Sequence, residues 1–330
     1  MAFTPNFRKY LVIFLILGWM ITLTYKYYFN KPLNSQQQIF RSTRMLMGTF
    51  WEVQSPNKKA SEIVFNEVHR LELLLSKYQA TSEISLLNRI GKLKVSPETF
   101  YIIKKSKEFW QITDGAFDIT VAPLIELWGF SSHQAKLPDN EEVKSVLKLI
   151  GSDKIILQEN NSVVEFKLSG MKIDLGAIAK GFAIDCAVKK LKENKINSCL
   201  INAGGQIYAL GEKFSSSWKI AIKDPRQPGN LETLTLKDQS SSTSGDYQQY
   251  FQINSKRYCH IINPKTGYPV DNKINSVTVI NKSGLNADAL STTIFILGTK
   301  EIKRLLIEFP DTKIYIKELD QEIKKINYLE

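Results

Sequence analysis

Strand-like and helix-like segments are mixed along this 330-residue chain without a regular strand–helix–strand alternation. Short β-branched runs bounded by turn residues are typical of strands, and apolar residues at helical spacing are typical of helices. A doubly wound parallel sheet needs strict alternation, so the pattern predicts instead a single mixed α+β domain with a largely antiparallel sheet. The predicted strands are residues 50–53, 154–157, 163–168, 172–174, 199–202, 218–222 and 276–280.

Two early segments predict helices, and the apolar stripe of one of them serves core packing. Ser96-Pro97-Glu98 is typical of a helix start, and this helix is expected to run to about residue 113. The other segment carries an apolar stripe at i, i+4, i+7 and i+11, formed by Val64, Val68, Leu71 and Leu75.

Composition places the chain among ordinary folded proteins, with 43% hydrophobic and 23% charged residues. Its three cysteines, Cys186, Cys199 and Cys259, have no C-x-x-C spacing. This argues against a disulfide framework and a zinc site, and favours buried thiols. The net charge of +11 is spread over lysines in helical patterns, with no aromatic-interleaved basic stripe, so nucleic-acid binding is not predicted.

The N-terminus predicts a membrane anchor. Arg8 and Lys9 precede an uncharged apolar run over residues 10–24, and aromatic residues extend it to Phe29 without a small-residue cleavage site. We expect an uncleaved, single-pass anchor over residues 1–29 in a bacterial inner membrane. A polar tether over residues 30–43 would then lead to a catalytic domain over residues 44–330 on the periplasmic side.

One histidine stands in a position suited to chemistry. His260 begins the run His260-Ile261-Ile262-Asn263-Pro264-Lys265-Thr266-Gly267, which predicts a strand that stops and reverses. Histidine exchanges protons near neutral pH, so His260 is a candidate base. A strand-end histidine held by the turn backbone is the structural alternative.

Asp288 and Thr292 lie four residues apart on a predicted helix that ends at Gly298. They share one face and present a carboxylate and a hydroxyl together. Such hard oxygen donors suit Mg²⁺, which takes few protein ligands. The alternative is a capping aspartate and an ordinary threonine.

Three glycine-containing segments add candidate ligand contacts. Residues 172–182 predict a strand, a turn and a helix start, where backbone amides and Lys180 could hold a diphosphate. Residues 202–206 and 113–130 offer a Gly-Gly turn and aromatic rings for a flat ligand. Close packing, a plain turn and core aromatics explain the same residues structurally.

Taken in order, these segments resemble the FAD:protein FMN transferase family, also called the ApbE family. The resemblance covers nearly all of the predicted exported part, and eight ordered matches are far more specific than any single motif. The matching segments are residues 47–49, 76–85, 115–130, 174–181, 202–205, 243–247, 260–267 and 287–292.

The resemblance implies an enzyme: a Mg²⁺-dependent flavin transferase that cleaves FAD, attaches FMN by a phosphoester to a Ser or Thr of a target protein, and releases AMP. It implies exported flavoproteins, such as membrane redox-pump subunits, as acceptors. The implied metal ligands are Asp288, Thr292 and the backbone oxygen of Ala177. The implied FAD contacts are Met47, Tyr78, Ala116, Phe117, Asp118, Asp174, Lys180 and Ile262.

Two positions depart from the commonest family pattern. Gln206 stands where an Asp often follows the Gly-Gly pair, and Ala122 stands where a Gly often precedes the proline. Neither position touches the implied metal pair. A Mg²⁺-dependent FAD pyrophosphatase that yields FMN and AMP, and a flavin-binding protein without turnover, remain as alternatives.

Overall fold

The described fold contains fifteen strands, and the computed structural model describes residues 17–24, 38–132, 134–319 and 321–327. In chain order the strands are β1 (Phe40–Leu46), β2 (Thr49–Ser55), β3 (Lys92–Lys94), β4 (Ile155–Gln158), β5 (Val163–Phe166), β6 (Cys199–Ala203), β7 (Gln206–Leu210), β8 (Trp218–Lys223), β9 (Asn230–Leu236), β10 (Gln239–Gly245), β11 (Tyr250–Ile253), β12 (Lys256–Cys259), β13 (Ile274–Asn281), β14 (Lys313–Glu318) and β15 (Lys324–Asn327).

Eight of these strands form one sheet in the order β1-β2-β6-β7-β10-β13-β14-β15, and each neighbouring pair is antiparallel. A smaller sheet has the order β3-β5-β4, and β8–β9 and β11–β12 are separate hairpins. The prediction of an α+β fold with a large antiparallel sheet is confirmed. All eight residues of β13 are buried, as expected for a central strand whose two faces are covered.

In the described part of the domain that begins at Phe40, eight α-helices accompany the strands. They are α1 (Ala60–Leu75), α2 (Glu83–Ile90), α3 (Pro97–Ile112), α4 (Ala122–Leu127), α5 (Asn140–Leu147), α6 (Ala179–Glu193), α7 (Gly284–Leu297) and α8 (Ile302–Glu308). Helix α6 packs between α1 and α7, and α7 packs against β10 and β13. These three helices and the sheet enclose the main hydrophobic core.

The helices expected from sequence form where their caps and apolar faces predict them. The stripe from Val64 to Leu75 is buried in α1. Ser96 caps α3 by accepting a hydrogen bond from the Thr99 N–H, with Pro97 as the first helical residue. Because caps and apolar spacing involve only neighbouring residues in the sequence, they predict these helices without knowledge of the tertiary contacts.

Three sequence expectations differ from the structure. Residues 172–174 are not a strand, because the Asn88 side chain satisfies Ile173 on both sides: its Oδ1 accepts from the Ile173 N–H at 2.7 Å and its Nδ2 donates to the Ile173 carbonyl at 2.9 Å. The strand that the sequence predicts from His260 onward is also absent there: strand β12 ends at Cys259, one residue before His260. The sheet begins at Phe40 rather than after the predicted tether, because β1 pairs with β2 along its whole length.

The N-terminal residues up to Ile39 form a unit separate from the domain that begins at Phe40. Residues 17–24 of this unit are helical and exposed. Most of the predicted anchor and tether lies outside the described residues. Among the helices that are described, none combines the length and apolar character needed to cross a bilayer.

Candidate active site

Asp288 is a buried carboxylate on α7. Its side chain is only 4% exposed. One oxygen accepts the backbone N–H of Gly181 at 2.9 Å, and the other accepts the Ser242 hydroxyl at 3.3 Å. Ser283, and not Asp288, caps α7, so the capping alternative for Asp288 is wrong. Among the described residues no cation pairs with this carboxylate, and a buried charge without such compensation is costly.

The Gly181 hydrogen bond to Asp288 leaves a backbone carbonyl without a donor. In a regular helix the Gly181 N–H would donate to the carbonyl of Ala177, four residues earlier. Helix α6 begins only at Ala179, with Ile178 in an irregular conformation. No described residue donates to the Ala177 oxygen. Among the described residues the Ala177 oxygen therefore has no donor, and it lies four residues before the Gly181 N–H that Asp288 accepts.

Glycine is required where α6 meets α7. A Cβ on Gly181 would lie 2.1 Å from the Gly284 carbonyl oxygen and 2.8 Å from the Asp288 Cβ. A side chain here would push the two helices apart and break the contact between the Gly181 N–H and Asp288. The glycine in the Gly-Ala-Ile-Ala-Lys-Gly segment thus serves both close packing and the site.

Hydroxyl groups line the strand that faces α7. Ser242 and Ser244 project from β10 toward this helix, and the Ser244 hydroxyl lies 2.8 Å from that of Ser291 and 3.1 Å from that of Thr292. Thr292 is half-buried, one turn after Asp288. Residues 243–247 are one of the segments that resemble the family, and the alternation of β10 is what aims 242 and 244 at the helix.

The donor set fits a hard divalent cation. A carboxylate, a hydroxyl and a free backbone carbonyl are oxygen ligands of the kind that Mg²⁺ prefers, with remaining positions left for water and a phosphate oxygen. Among the described residues no three His, Cys, Asp or Glu side chains cluster as they would around a transition metal. The Asp288 carboxylate, which has no ion pair with any described residue, supplies the negative charge that such a cation needs.

His260 is held through one ring nitrogen, and the other has no hydrogen-bond partner in the described part of the chain. Both its backbone N–H and its Nδ1 reach the carbonyl oxygen of Gln249, at 3.0 and 3.1 Å. A carbonyl only accepts, so Nδ1 carries the proton and Nε2 keeps its lone pair. Burial lowers the pKa of His260, an effect that nearby Lys180 reinforces and that the Gln249 carbonyl and Asp174 oppose. The ring is therefore neutral at neutral pH, as a general base requires.

Asp174 organises the turn that precedes α6. It forms a 2.7 Å ion pair with Lys77, its other oxygen accepts the Gly176 N–H at 2.8 Å, and its own N–H donates to the Ile119 carbonyl. Burial tends to lower the pKa of Lys77, but Asp174 outweighs it and raises that pKa. Lys180 donates to the Gly176 carbonyl at 3.1 Å, and its charge acts on His260.

Two hairpin tips of the large sheet, the β1–β2 and β6–β7 turns, meet each other. Met47 and Gly48 both have positive φ in the β1–β2 turn, and the Met47 N–H donates to Glu72 at 2.7 Å. The β6–β7 turn has Gly204 and Gly205, and a Cβ on Gly204 would lie 2.3 Å from Thr49 Oγ1. Gly204 is therefore needed for the close approach of the two tips, whereas Gly205 serves the turn through its positive φ.

Tyr78 is the most exposed aromatic of the predicted flavin contacts. Its side chain is 75% exposed, and the ammonium of Lys77 lies 5.0 Å from its ring centroid. An exposed ring next to an ion pair offers a stacking face for a flat ligand.

The remaining predicted FAD contacts lie deeper in the protein. Ala116 and Phe117 are buried, and Phe117 packs on Phe109. The Asp118 carboxylate accepts hydrogen bonds from Thr120 and Ser152, so its side chain fastens two loops. Burial raises the pKa of Asp118, against these hydrogen bonds.

Ile262 belongs to a second hydrophobic cluster with Leu124, Trp128 and Ile150. It bridges to Pro269 across the turn that follows His260. The Trp128 indole N–H donates to the Gly267 carbonyl at 2.8 Å and closes that turn. The aromatic run before residue 130 therefore supports the His260 segment through packing.

Asp185 is a site-supporting residue that sequence reasoning missed. It accepts hydrogen bonds from the Ser283 hydroxyl at 2.7 Å and from the Gly284 and Leu285 N–H groups at 2.6 and 3.0 Å. It thus fixes the start of α7, the helix that carries Asp288 and Thr292. Burial raises the pKa of Asp185, against these hydrogen bonds. Asp185 lies one turn after Gly181 on α6. This i, i+4 spacing is the only feature of the sequence that places Asp185 near the site.

The sequence profile of the ApbE family matches residues 47–316, which is most of the chain. The chain belongs to the ApbE family. It is 33% identical over 274 residues to the FAD:protein FMN transferase of Klebsiella pneumoniae, an alignment that covers 81% of this chain and 85% of the relative. With the FAD:protein FMN transferase of Treponema pallidum it shares 30% identity over 297 residues, 82% of each chain.

Solved ApbE structures have the same fold. The ApbE protein of Thermotoga maritima superposes with a TM-score of 0.81 at 32% identity, over 87% of this chain and 97% of that one. The flavin transferase ApbE of Vibrio cholerae gives a TM-score of 0.77 at 25% identity, over 88% and 96%. This ApbE-family chain is therefore an enzyme of the flavin transferase class.

The family departure at Gln206 has a local physical explanation. Gln206 is 2% exposed, and its Nε2 donates to the Ser240 hydroxyl at 3.1 Å and to the Gly284 carbonyl at 3.2 Å. A carboxylate could not donate to that carbonyl. The amide thus links the β6–β7 turn to the start of α7 in this ApbE-family chain.

Proposed function

We propose that this chain cleaves the diphosphate of FAD and transfers FMN to a Ser or Thr hydroxyl of an acceptor protein, with release of AMP. The observation that carries the proposal is the buried Asp288 carboxylate, which has no ion-pair partner among the described residues and accepts the Gly181 N–H that a regular helix would direct to the Ala177 carbonyl. Curated relatives named FAD:protein FMN transferase support the flavin substrate and the protein acceptor.

Asp288, Thr292 and the Ala177 carbonyl would hold Mg²⁺ in this scheme. A bound Mg²⁺ would neutralise the charge on the diphosphate oxygens and stabilise the leaving AMP. Gly181 and Ser242 keep the Asp288 carboxylate in place through their hydrogen bonds. Lys180 stands in the first turn of α6, where backbone amides and its ammonium favour a phosphate.

His260 would accept the proton of the attacking hydroxyl. The acceptor oxygen forms a bond to the FMN phosphorus, the bond from that phosphorus to the AMP oxygen breaks, and the hydroxyl proton moves to His260 Nε2. The Gln249 carbonyl holds the ring so that Nε2 is the available nitrogen. The exposed ring of Tyr78 would stack on the flavin and orient the diphosphate toward α6.

We also propose the setting of this reaction. The charged start and apolar run of residues 8–24 support a single-pass anchor in a bacterial inner membrane, with the ApbE domain on the periplasmic side. Exported flavoproteins, including membrane redox-pump subunits with a Ser or Thr flavinylation site, would then be the acceptors.

Incubation of the purified protein with FAD and Mg²⁺ tests the proposal. With an acceptor protein present, covalent flavin fluorescence on the acceptor band after denaturing electrophoresis supports transfer, and AMP should appear in equal amount. Release of free FMN and AMP at the same rate with and without acceptor would indicate a pyrophosphatase. FAD that stays intact in both cases would indicate a binding protein.

A further inference from the structure

The large sheet has two ends with different characters. At one end β1 begins at Phe40, and the strand register brings the end of β2, the start of β6, the end of β7 and the start of β10 together there. We call this the tether end, because the chain enters the domain at Phe40. The opposite, catalytic end carries the Met47–Gly48 and Gly204–Gly205 turns described above.

Chain connections at the tether end are in direct contact. The Ser55 hydroxyl donates to the Ser198 carbonyl at 2.6 Å, which joins the segment after β2 to the segment before β6. The Ser198 hydroxyl donates to the Glu212 carbonyl at 2.6 Å, and the Gly211 N–H donates to Asp238 at 3.0 Å. Residues 56–59, 192–198, 211–213 and 237–238 therefore form one continuous surface.

Lysines dominate this surface. Together with the neighbouring ends of β13 and β14, it carries twice as many lysines as carboxylates, and each of these lysines is exposed. The lysines are Lys58, Lys59, Lys192, Lys195, Lys213, Lys237, Lys282 and Lys313; the carboxylates are Glu193, Glu212, Asp238 and Asp311.

The carboxylates of the tether end are already engaged. Glu193 pairs with Lys190, Glu212 with Lys237 and Asp311 with Lys282, at 2.7 to 3.0 Å, and Asp238 accepts the Gly211 N–H. By contrast, Lys58, Lys59, Lys192 and Lys195 have no carboxylate within ion-pair distance among the described residues. Lys58 lies 5.0 Å from the ring centroid of Phe40, at the point of chain entry.

We propose that the tether end rests on an anionic lipid bilayer, with Lys58, Lys59, Lys192 and Lys195 against the headgroups. The inference rests on the membrane anchor in the proposed function. Only ten residues, 30–39, separate the predicted anchor from Phe40. Fully extended, they span at most roughly 35 Å, so Phe40 and the lysines around it stay near the bilayer. Clustered lysines next to an anchor bind anionic lipids.

This placement sets the direction of the active site. Strand β1 spans seven residues between the two ends, or roughly 20 Å. The Met47 turn and the predicted flavin site would then face away from the bilayer, open to the acceptor. Residues of the tether end take no part in the proposed chemistry.

A fragment that begins at residue 38 allows the surface to be tested without the anchor. All residues of the main core lie at Leu46 or beyond, and the T. maritima structure superposes over 87% of this chain and 97% of its own length. Phe40 onward also forms a unit of its own. The fragment therefore contains a complete domain.

The test is cosedimentation of this fragment with phosphatidylcholine vesicles, with and without phosphatidylglycerol. One variant changes Lys58, Lys59, Lys192 and Lys195 to Gln. The matched control changes Lys94, Lys148, Lys300 and Lys303 to Gln, four exposed lysines outside the tether end that also lack ion pairs among the described residues. Both variants lose the same net charge.

We expect salt-sensitive binding to anionic vesicles only. Since each lysine near an anionic surface contributes about fivefold, the tether-end variant should bind at least about tenfold more weakly, and the control should bind nearly as well as the wild type. Equal losses in the two variants, or equal binding to neutral vesicles, would overturn the inference. Flavin transfer in solution, measured on the same proteins, should be unchanged. If the wild type shows no flavin transfer, this would count against the proposed function. It would not count against binding of the tether end to lipid.

Discussion

The backbone N–H of Gly181 donates to the Asp288 carboxylate at 2.9 Å instead of to its own helix. This single hydrogen bond joins two distant parts of the chain, α6 and α7. It holds the buried carboxylate and at the same time frees the Ala177 carbonyl. Two of the three oxygen ligands proposed for Mg²⁺ thus depend on one glycine.

Replacement of Asp288 by Asn should weaken Mg²⁺ binding with little effect on folding. The Asn oxygen can still accept the Gly181 N–H, and its amide can donate to Ser242, so the packing is retained. The lost charge should weaken Mg²⁺ binding at least about tenfold. Mutation of residues that only support a metal ligand already lowers metal affinity by about 10- to 100-fold, and Asp288 is proposed to be a ligand itself. Isothermal titration with Mg²⁺ in the presence of FAD measures it. An unchanged affinity would remove Asp288 from the metal site.

Gly181→Ala should disrupt the site through the helix contact. The added methyl would lie 2.1 Å from the Gly284 oxygen, so α6 and α7 must separate. We expect a loss of about 1–3 kcal/mol in the free energy of unfolding, together with weaker Mg²⁺ binding. Urea unfolding and the same titration test this. A variant with wild-type stability and affinity would contradict the proposed role of the close approach.

Asp185→Asn should loosen the start of α7. One carboxylate oxygen becomes an NH₂ group that faces backbone N–H donors, so at least one buried donor loses its acceptor. An unsatisfied buried donor costs about 1–3 kcal/mol. Thermal unfolding should show a lower Tm, and Lys190→Gln, on the exposed face of the same helix, is the control that should leave Tm nearly unchanged. Equal Tm values for Asp185→Asn and the wild type would exclude this anchoring role.

The pH dependence of flavin transfer should report His260. A general base acts in its neutral form, so the rate falls as pH drops through its pKa. Because burial lowers the pKa of His260 from 6.5, the acid limb of kcat/KM should have its midpoint below pH 6.5. The limb should disappear in His260→Ala. A midpoint above 6.5, or a limb that persists in the variant, would assign the base to another group.

Local sequence signals predicted much of the fold. The α1 stripe and the Ser96 cap lie in their predicted elements, because spacing and capping are properties of consecutive residues. Residues 172–174 were mispredicted as a strand because the Asn88 side chain, about 85 positions away in sequence, takes over the hydrogen bonds of Ile173. No local pattern carries that information.

The candidate site also combines residues that local spacing predicts with residues that it does not predict. The i, i+4 spacing of Asp288 and Thr292 indicated a shared helix face, and the structure places both beside β10. The partners that hold them, Ser242, Ser244 and Asp185, come from other elements. Their roles depend on strand register and on how closely two helices approach, and a single sequence does not specify these distances.

The most direct test of the account compares initial rates of flavin transfer to an acceptor protein, with Mg²⁺, for the wild type, Asp288→Ala and His260→Ala. If Asp288 holds the metal and His260 only assists proton removal, His260→Ala should keep a measurable rate, lower by about 10² to 10⁴, whereas Asp288→Ala should show no transfer above background. Equal residual rates in the two variants would contradict this division of roles.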